Sequence, residues 1–188
     1  NLKIVDEINF LTLQSSNLTR ETINLFPTSF TAGPSGELYL LNQDDNKVYK
    51  FNSFRQMEVI FGGLDYGAGS LFQPDDVLIN GQNFIFVPDA ENQKVSVFDL
   101  YGVYQYSLEL KMPFRWTKIS LVGPYILYFD AKNMFFYNLT SKKIRHIPSP
   151  LSSPLIDVCG NKDFIYLLTE KAINLYPLEN RQKNEREH

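Results

Sequence analysis

Short runs of apolar residues, separated by Gly, Asn, Asp or Pro, recur along the chain. The clearest lie at residues 37–41, 84–87, 125–129 and 164–168. Runs of this length with turn residues at both ends are typical of β-strands. Since no stretch of more than about ten residues keeps apolar positions three and four apart, we expect almost no helix. The pattern predicts an all-β protein.

The strand-like runs belong to a repeat of about 40 residues. An alternating run that ends in an aromatic residue follows each apolar run, and these landmarks are Phe51, Phe98, Tyr137 and Tyr176, at separations of 47, 39 and 39 residues. First strands are predicted at 30–35, 77–81, 119–123 and 156–160, and fourth strands at 56–61, 104–110 and 143–147. Four short strands in such a period are typical of β-propeller blades. We therefore predict a small β-propeller of about four four-stranded blades.

The repeat divides the chain into one domain, residues 1–178, and a polar C-terminal tail, residues 179–188. We predict blades at about 27–63, 74–110, 115–147 and 154–178. The fourth period contains only three strands, whereas the N-terminal residues 1–26 contain strand-like runs at 2–13 and 21–26 that belong to no blade. An N-terminal strand then closes the fourth blade, or both runs join a rudimentary fifth blade. Alternatively, the array is open and completes itself against another subunit or partner, because an unpaired edge is a template for association.

Two segments resemble the repeat of NHL-type β-propellers. Residues 61–77, FGGLDYGAGSLFQPDDV, contain a glycine-rich turn followed by an aromatic residue, a proline and a β-branched residue. Residues 85–102, IFVPDAENQKVSVFDLYG, contain a strand, an acidic turn and a second strand. Periods three and four depart from this pattern, with PFRW at 113–116 and PSPL at 148–151. The resemblance implies a propeller of this type and leaves the function open, because such scaffolds host enzymes, RNA-binding proteins and adaptors.

Composition narrows the range of partners. The 188-residue chain has a net charge of −3 and its basic residues are scattered, which argues against a nucleic-acid partner. Its apolar runs fall far short of the roughly 20 residues that span a bilayer, so we predict no membrane-spanning segment. The chain begins at Asn1 rather than Met. From this we expect that a leader has been cleaved, and therefore a secreted or periplasmic protein.

The supply of catalytic side chains is poor. The only histidines are His146, on a predicted outer strand, and His188, in the polar tail. No Gly-x-Ser-x-Gly motif occurs, and the glycine-rich stretch 62–69 has neither a following helix pattern nor a phosphate-binding Gly-Lys-Ser/Thr. Cys159 lies in an apolar run, where we expect a buried, inert thiol. The sequence therefore assigns no catalytic residue and no metal ligand.

A candidate binding face follows from blade topology. In an antiparallel meander, the loops between strands two and three lie at the same end as the inter-blade loops. The polar and aromatic residues predicted to meet there are Asp44, Asp45, Asp75, Asp76, Asp89, Asn92, Arg115, Trp116, Asp130 and Asn133. Oxygen ligands from several loops suit calcium, the one cofactor left open, but in most β-loops Asp and Asn cap their own turns, and we favour capping. Trp and Arg are enriched at interfaces, whereas the alternative for Trp116 is packing between blades.

These observations favour a non-enzymatic binding or scaffolding propeller that presents a loop-rich face to a protein or peptide partner. One alternative is a calcium-assisted hydrolase or lactonase-like enzyme of propeller fold. Another is a structural subunit of a larger extracellular or envelope assembly, with self-association through unpaired strand edges.

Overall fold

The computed structural model describes residues 25–110, 116, 118–130, 132–148, 153–161 and 163–178. The chain divides into two compact units, unit 1 (Asn1–Pro113) and unit 2 (Phe114–His188). The described residues form antiparallel strands throughout, with one short 3-10 helix at Gly67–Gly69. The prediction of an all-β, four-bladed propeller is confirmed.

Unit 1 contains two four-stranded blades whose strands pair in chain order. The strands of blade 1 are β1 (Pro27–Ala32), β2 (Leu38–Asn42), β3 (Lys47–Phe51) and β4 (Met57–Gly62). The strands of blade 2 are β5 (Leu78–Ile79), β6 (Phe84–Asp89), β7 (Lys94–Asp99) and β8 (Tyr104–Glu109). The two first strands, β1 and β5, contact each other.

Unit 2 contains blades 3 and 4. The strands of blade 3 are β9 (Lys118–Val122), β10 (Tyr125–Phe129), β11 (Asn133–Asn138) and β12 (Ile144–Pro148). The strands of blade 4 are β13 (Leu155–Gly160), β14 (Phe164–Thr169) and β15 (Ile173–Pro177). Within the described part of the chain, blade 4 is thus a three-stranded sheet, as its three predicted strands implied. The predicted N-terminal closing strand at 2–13 lies outside the described residues.

In blades 1 and 2 the two middle strands are buried on both faces along most of their length, which explains why they are continuous apolar runs in the sequence. In unit 1, Tyr39 and Leu41 of β2 pack with Ile85 and Val87 of β6 in one core cluster. The landmark aromatic Phe98 is fully buried there. The alternation of side chains across each strand thus builds the core between the faces of neighbouring blades.

Two predicted first strands are displaced or shortened in the structure. β1 ends at Ala32 because residues 33–37 form a turn, in which the Gly33 N–H donates to the Glu37 carbonyl at 2.8 Å. β5 is only two residues long because the Asn80 side chain accepts from the Gln82 and Phe84 amides and closes the next turn. Residues 25 and 26, within the predicted run 21–26, are not in a strand. Local turn chemistry sets these boundaries and overrides the apolar pattern.

Candidate functional site

Three loops of unit 1 meet at one end of blades 1 and 2, and we call them the loop cluster: residues 43–46, 63–77 and 90–93. The Gln43 side chain donates to the Pro74 carbonyl at 2.7 Å. The Gly63 N–H donates to the Asn46 carbonyl at 2.7 Å, and the Asp75 N–H donates to the Pro88 carbonyl at 2.9 Å. Within unit 1, the loops between strands two and three therefore lie beside the inter-blade loop, as blade topology requires.

Asp89, the last residue of β6, ties the loop cluster together. Its buried carboxylate accepts from the Gln73 amide at 3.1 Å, the Asn92 amide at 3.0 Å and the Asn92 side chain at 2.7 Å. The Asp75 carboxylate accepts from the Ala90 amide in the opposite direction. These two carboxylates hold adjacent loops in place through main-chain donors, as the capping interpretation expects.

Asp45, between β2 and β3, and Asp76, in the inter-blade loop, also accept hydrogen bonds. The Asp45 carboxylate accepts from the Asn42 side chain at 2.8 Å and the Tyr49 hydroxyl at 2.5 Å. Burial, followed by this hydrogen bond, raises the pKa of Tyr49 far above its ordinary value. Asp76 accepts from the Ser29 hydroxyl and from the Val77 amide. By contrast, the Asp44 side chain is exposed to solvent.

Asp130 and Asn133 form a separate turn in unit 2. The Asp130 carboxylate accepts from the Lys132 amide and the Asn133 amide, both at 2.7 Å. Burial acts to raise the pKa of Asp130, but the hydrogen bonds from Lys132 and Asn133 and the Lys132 charge lower it below its ordinary value. The Asn133 side chain also contacts the His146 ring nitrogen at 3.1 Å. This carboxylate caps its own turn.

Trp116 is packed in the interior. Its side chain is 2% exposed, and its ring centroid lies 5.9 Å from that of Tyr128. A buried indole is not presented to a partner, which favours the packing interpretation over the interface interpretation. Arg115 lies outside the described residues.

The expectation for Cys159 was wrong, because the thiol is exposed. Its neighbour Val158 is buried in the core of unit 2. Successive residues of β13 point to opposite faces of the sheet, so the apolar run around Cys159 does not bury every member.

Two apolar surface residues in the loop cluster were not identified from the sequence. Leu64 is 57% exposed and Phe72 is 52% exposed, both in the inter-blade loop. Phe72 follows Leu71, which is buried. The fold of the loop determines that one of these neighbouring apolar residues is buried and the other exposed. The sequence signal was the apolar pair Leu71 and Phe72 after the glycine-rich stretch, but this pair does not show which of the two residues faces solvent.

The described residues contain no group of three or more His, Cys, Asp or Glu side chains placed to hold a metal ion. Nor do they include a helix long and apolar enough to cross a membrane.

Solved structures similar to this chain share its fold at low sequence identity. Virginiamycin B lyase from Staphylococcus aureus is 15% identical with a TM-score of 0.54, over 82% of this chain and 56% of the lyase. A streptogramin B lyase is 12% identical with a TM-score of 0.56, over 81% and 55%. The computationally designed Ika4 protein is 8% identical with a TM-score of 0.60, over 91% and 99%. The chain spans a little over half the length of the lyases.

No family model and no curated protein matches the sequence. The structural likenesses carry the fold alone, and together with the four sheets they define the class of protein: a four-bladed β-propeller.

Proposed function

We propose that this chain is a non-enzymatic binding or scaffolding propeller whose loop cluster contacts a protein or peptide partner. The observation that carries the proposal is the exposure of Leu64 and Phe72 on the inter-blade loop, which buried Asp89 holds through the Gln73 amide. Apolar side chains displayed on preorganised loops bind at low entropic cost. We also propose that the propeller is of the NHL type. The resemblance of residues 61–77 and 85–102 to NHL-type repeats supports this assignment.

The state of the acidic residues supports binding rather than catalysis. Asp45, Asp76 and Asp89 accept hydrogen bonds from neighbouring donors in unit 1. A general base must be within hydrogen-bond reach of the substrate proton it abstracts, and acceptors engaged in turns are poorly placed for that role. The exposed Asp44 adds negative charge at the edge of the loop cluster.

A peptide selection tests this proposal. Short peptides selected from a displayed library on the full chain are expected to bind about tenfold more weakly to the double variant Leu64→Ser/Phe72→Ser, because the apolar contact is removed. The matched control is Phe54→Ser, since Phe54 is 82% exposed but lies in the turn between β3 and β4. Fluorescence anisotropy measures each affinity.

Selected peptides that bind the double variant as tightly as the wild type contradict the proposal, as does a selection that enriches none. Calcium tests the enzyme alternative separately. A rise in Tm when calcium is added back after chelation favours an ion-assisted site, because an ion that binds the folded state stabilises it.

A further inference from the structure

Unit 2 contains an apolar groove of about 630 Å³. Its floor and walls come from blade 3 and blade 4, chiefly Tyr125, Phe136, Ile147, Ile165, Leu167 and Tyr176. It lies beside β15, the last strand of the three-stranded blade 4. A volume of this size accommodates several side chains of a ligand.

The outer edge of β15 is unpaired among the described residues. The Leu178 amide donates to the Asp163 carbonyl and the Thr169 amide donates to the Ala172 carbonyl. In an antiparallel pair the hydrogen-bonded positions alternate. The even-numbered residues of β15 therefore direct their main-chain N–H and C=O groups toward β14. Ile173 and Leu175 therefore direct their main-chain N–H and C=O groups away from β14.

In unit 1 the equivalent edge is occupied. β8 pairs with β7, and Tyr104 of β8 packs against the core cluster that contains Phe61 and Phe98. A strand added to β15 in the same way places alternate side chains in the groove next to Tyr176. The groove lies where a fourth strand of blade 4 would pack, and none of the described residues supplies that strand.

The groove also has a basic rim. Lys143 and Arg145 of blade 3 line it, and Arg145 lies opposite Phe136, so both share the face that borders the groove. In the part of the chain that the structure describes, neither side chain forms an ion pair. An occupant with a carboxylate at this end gains a charge-assisted contact.

We propose that β15 and this groove bind an extended segment of a partner protein as a fourth strand. The segment places apolar side chains in the groove and a carboxylate beside Lys143 and Arg145. Recognition by strand addition derives affinity from main-chain hydrogen bonds and specificity from alternate side chains. This site is separate from the loop cluster and does not depend on the function proposed for it.

Two labelled peptides test the charge requirement on the full chain. In the first, isoleucine alternates with threonine and one central isoleucine is replaced by glutamate; in the second, lysine takes the glutamate's place. We expect the glutamate peptide to bind about tenfold more tightly, measured by fluorescence anisotropy. The double variant Lys143→Glu/Arg145→Glu is expected to reverse this preference.

A proline tests strand addition. Leu175→Pro removes an outward N–H without removing a hydrogen bond to β14, so the glutamate peptide is expected to bind about tenfold more weakly. Leu175→Val retains the N–H and is the matched control. Trp116 fluorescence checks that unit 2 of each variant is folded, because this is the only tryptophan in the chain.

Equal binding of the two peptides, or equal binding by the proline and valine variants, overturns the proposal. Failure of both peptides to bind also overturns it, including the case in which residues 2–13 of the chain itself occupy the edge. The double variant Leu64→Ser/Phe72→Ser is expected to bind the glutamate peptide normally, so failure at the loop cluster is distinguishable from failure here.

Discussion

Among the described residues, blades 2 and 4 differ at the outer edge. In blade 2, β8 covers β7, and the landmark Phe98 is fully buried, with Tyr104 at 5.9 Å between ring centroids. In blade 4, the described strands end with β15, whose landmark Tyr176 is half-buried and lines the groove. The fourth strand of a blade thus decides whether the space beside the preceding blade becomes core or groove.

The same contrast appears on the outer surface. In blade 4, Leu175 is 56% exposed on β15, whose outer edge pairs with none of the described residues. In blade 2, the middle strands β6 and β7 are buried along most of their length. Apolar surface beside an unpaired edge is a typical association site, and blade 4 offers both features.

The largest expected effect comes from comparing the two landmark aromatics. Phe98→Ala is expected to lower the free energy of unfolding by about 4 kcal/mol, because it leaves a cavity among Phe61, Tyr66 and Tyr104. Tyr176→Ala is expected to cost only about 1 to 2 kcal/mol, since its ring borders a groove that is already open. Urea unfolding followed by circular dichroism measures both. Equal costs would show that the difference between the outer edges of blades 2 and 4 does not change packing.

A smaller effect is expected in the loop cluster. Asp89→Ala removes the acceptor for the Gln73 and Asn92 amides and is expected to cost about 2 to 3 kcal/mol. The control is Asp44→Ala, whose exposed side chain predicts a change within about 0.5 kcal/mol. Thermal unfolding measures the pair. A loss of stability in the Asp44 variant as large as in the Asp89 variant argues against the holding role of Asp89.

Removing the hydroxyl group from a buried tyrosine is expected to change stability in opposite directions in the two units. Among the described residues, the buried Tyr128 hydroxyl in unit 2 has no hydrogen-bond partner, and burial, followed by the charge of Tyr137, raises its pKa to about 12. Tyr128→Phe is therefore expected to stabilise the protein by about 1 kcal/mol, because the unpaired polar atom is removed.

The control for Tyr128 is Tyr39→Phe in unit 1. The Tyr39 hydroxyl donates to the Leu100 carbonyl at 3.0 Å, so its removal is expected to destabilise by about 1 kcal/mol. Unfolding in urea distinguishes the signs, and destabilisation by both substitutions would mean that the Tyr128 hydroxyl has a stabilising role.

The smallest effect concerns acid stability. The pKa of Asp130 is lower in the folded protein than its ordinary value of 3.8, so its contribution is present above that pH and is lost as the pH falls through the folded value. Asp130→Asn lacks this ionisation, and its unfolding free energy is expected to fall less steeply than that of the wild type below about pH 4. Chemical unfolding across an acidic pH series measures the slopes. Parallel slopes would show that the Asp130 carboxylate does not favour the folded state.

The candidate site was predictable in part. The acidic loop residues were identified because Asp and Asn recur where strands end, and within unit 1 blade topology places their loops together. The exposure of Leu64 and Phe72 was not predictable, because the inter-blade loop folds through contacts with residues that are distant in sequence, such as Asn46 and Asp89. Trp116 beside Arg115 has the composition of an interface, but packing against Tyr128 decided its burial.

The sequence by itself determined the strands and their grouping into blades, because alternation and turn residues act over a few positions and repeat along the chain. Even the three strands that the fourth period contributes, β13 to β15, follow from this local pattern. Only the tertiary structure decided which side of each strand meets another blade. It exposes Cys159 beside buried Val158 and leaves Lys143 and Arg145 around an open groove. The physical reason is that burial depends on which residues pack against each face of a sheet. The strand pattern in the sequence does not predict those residues.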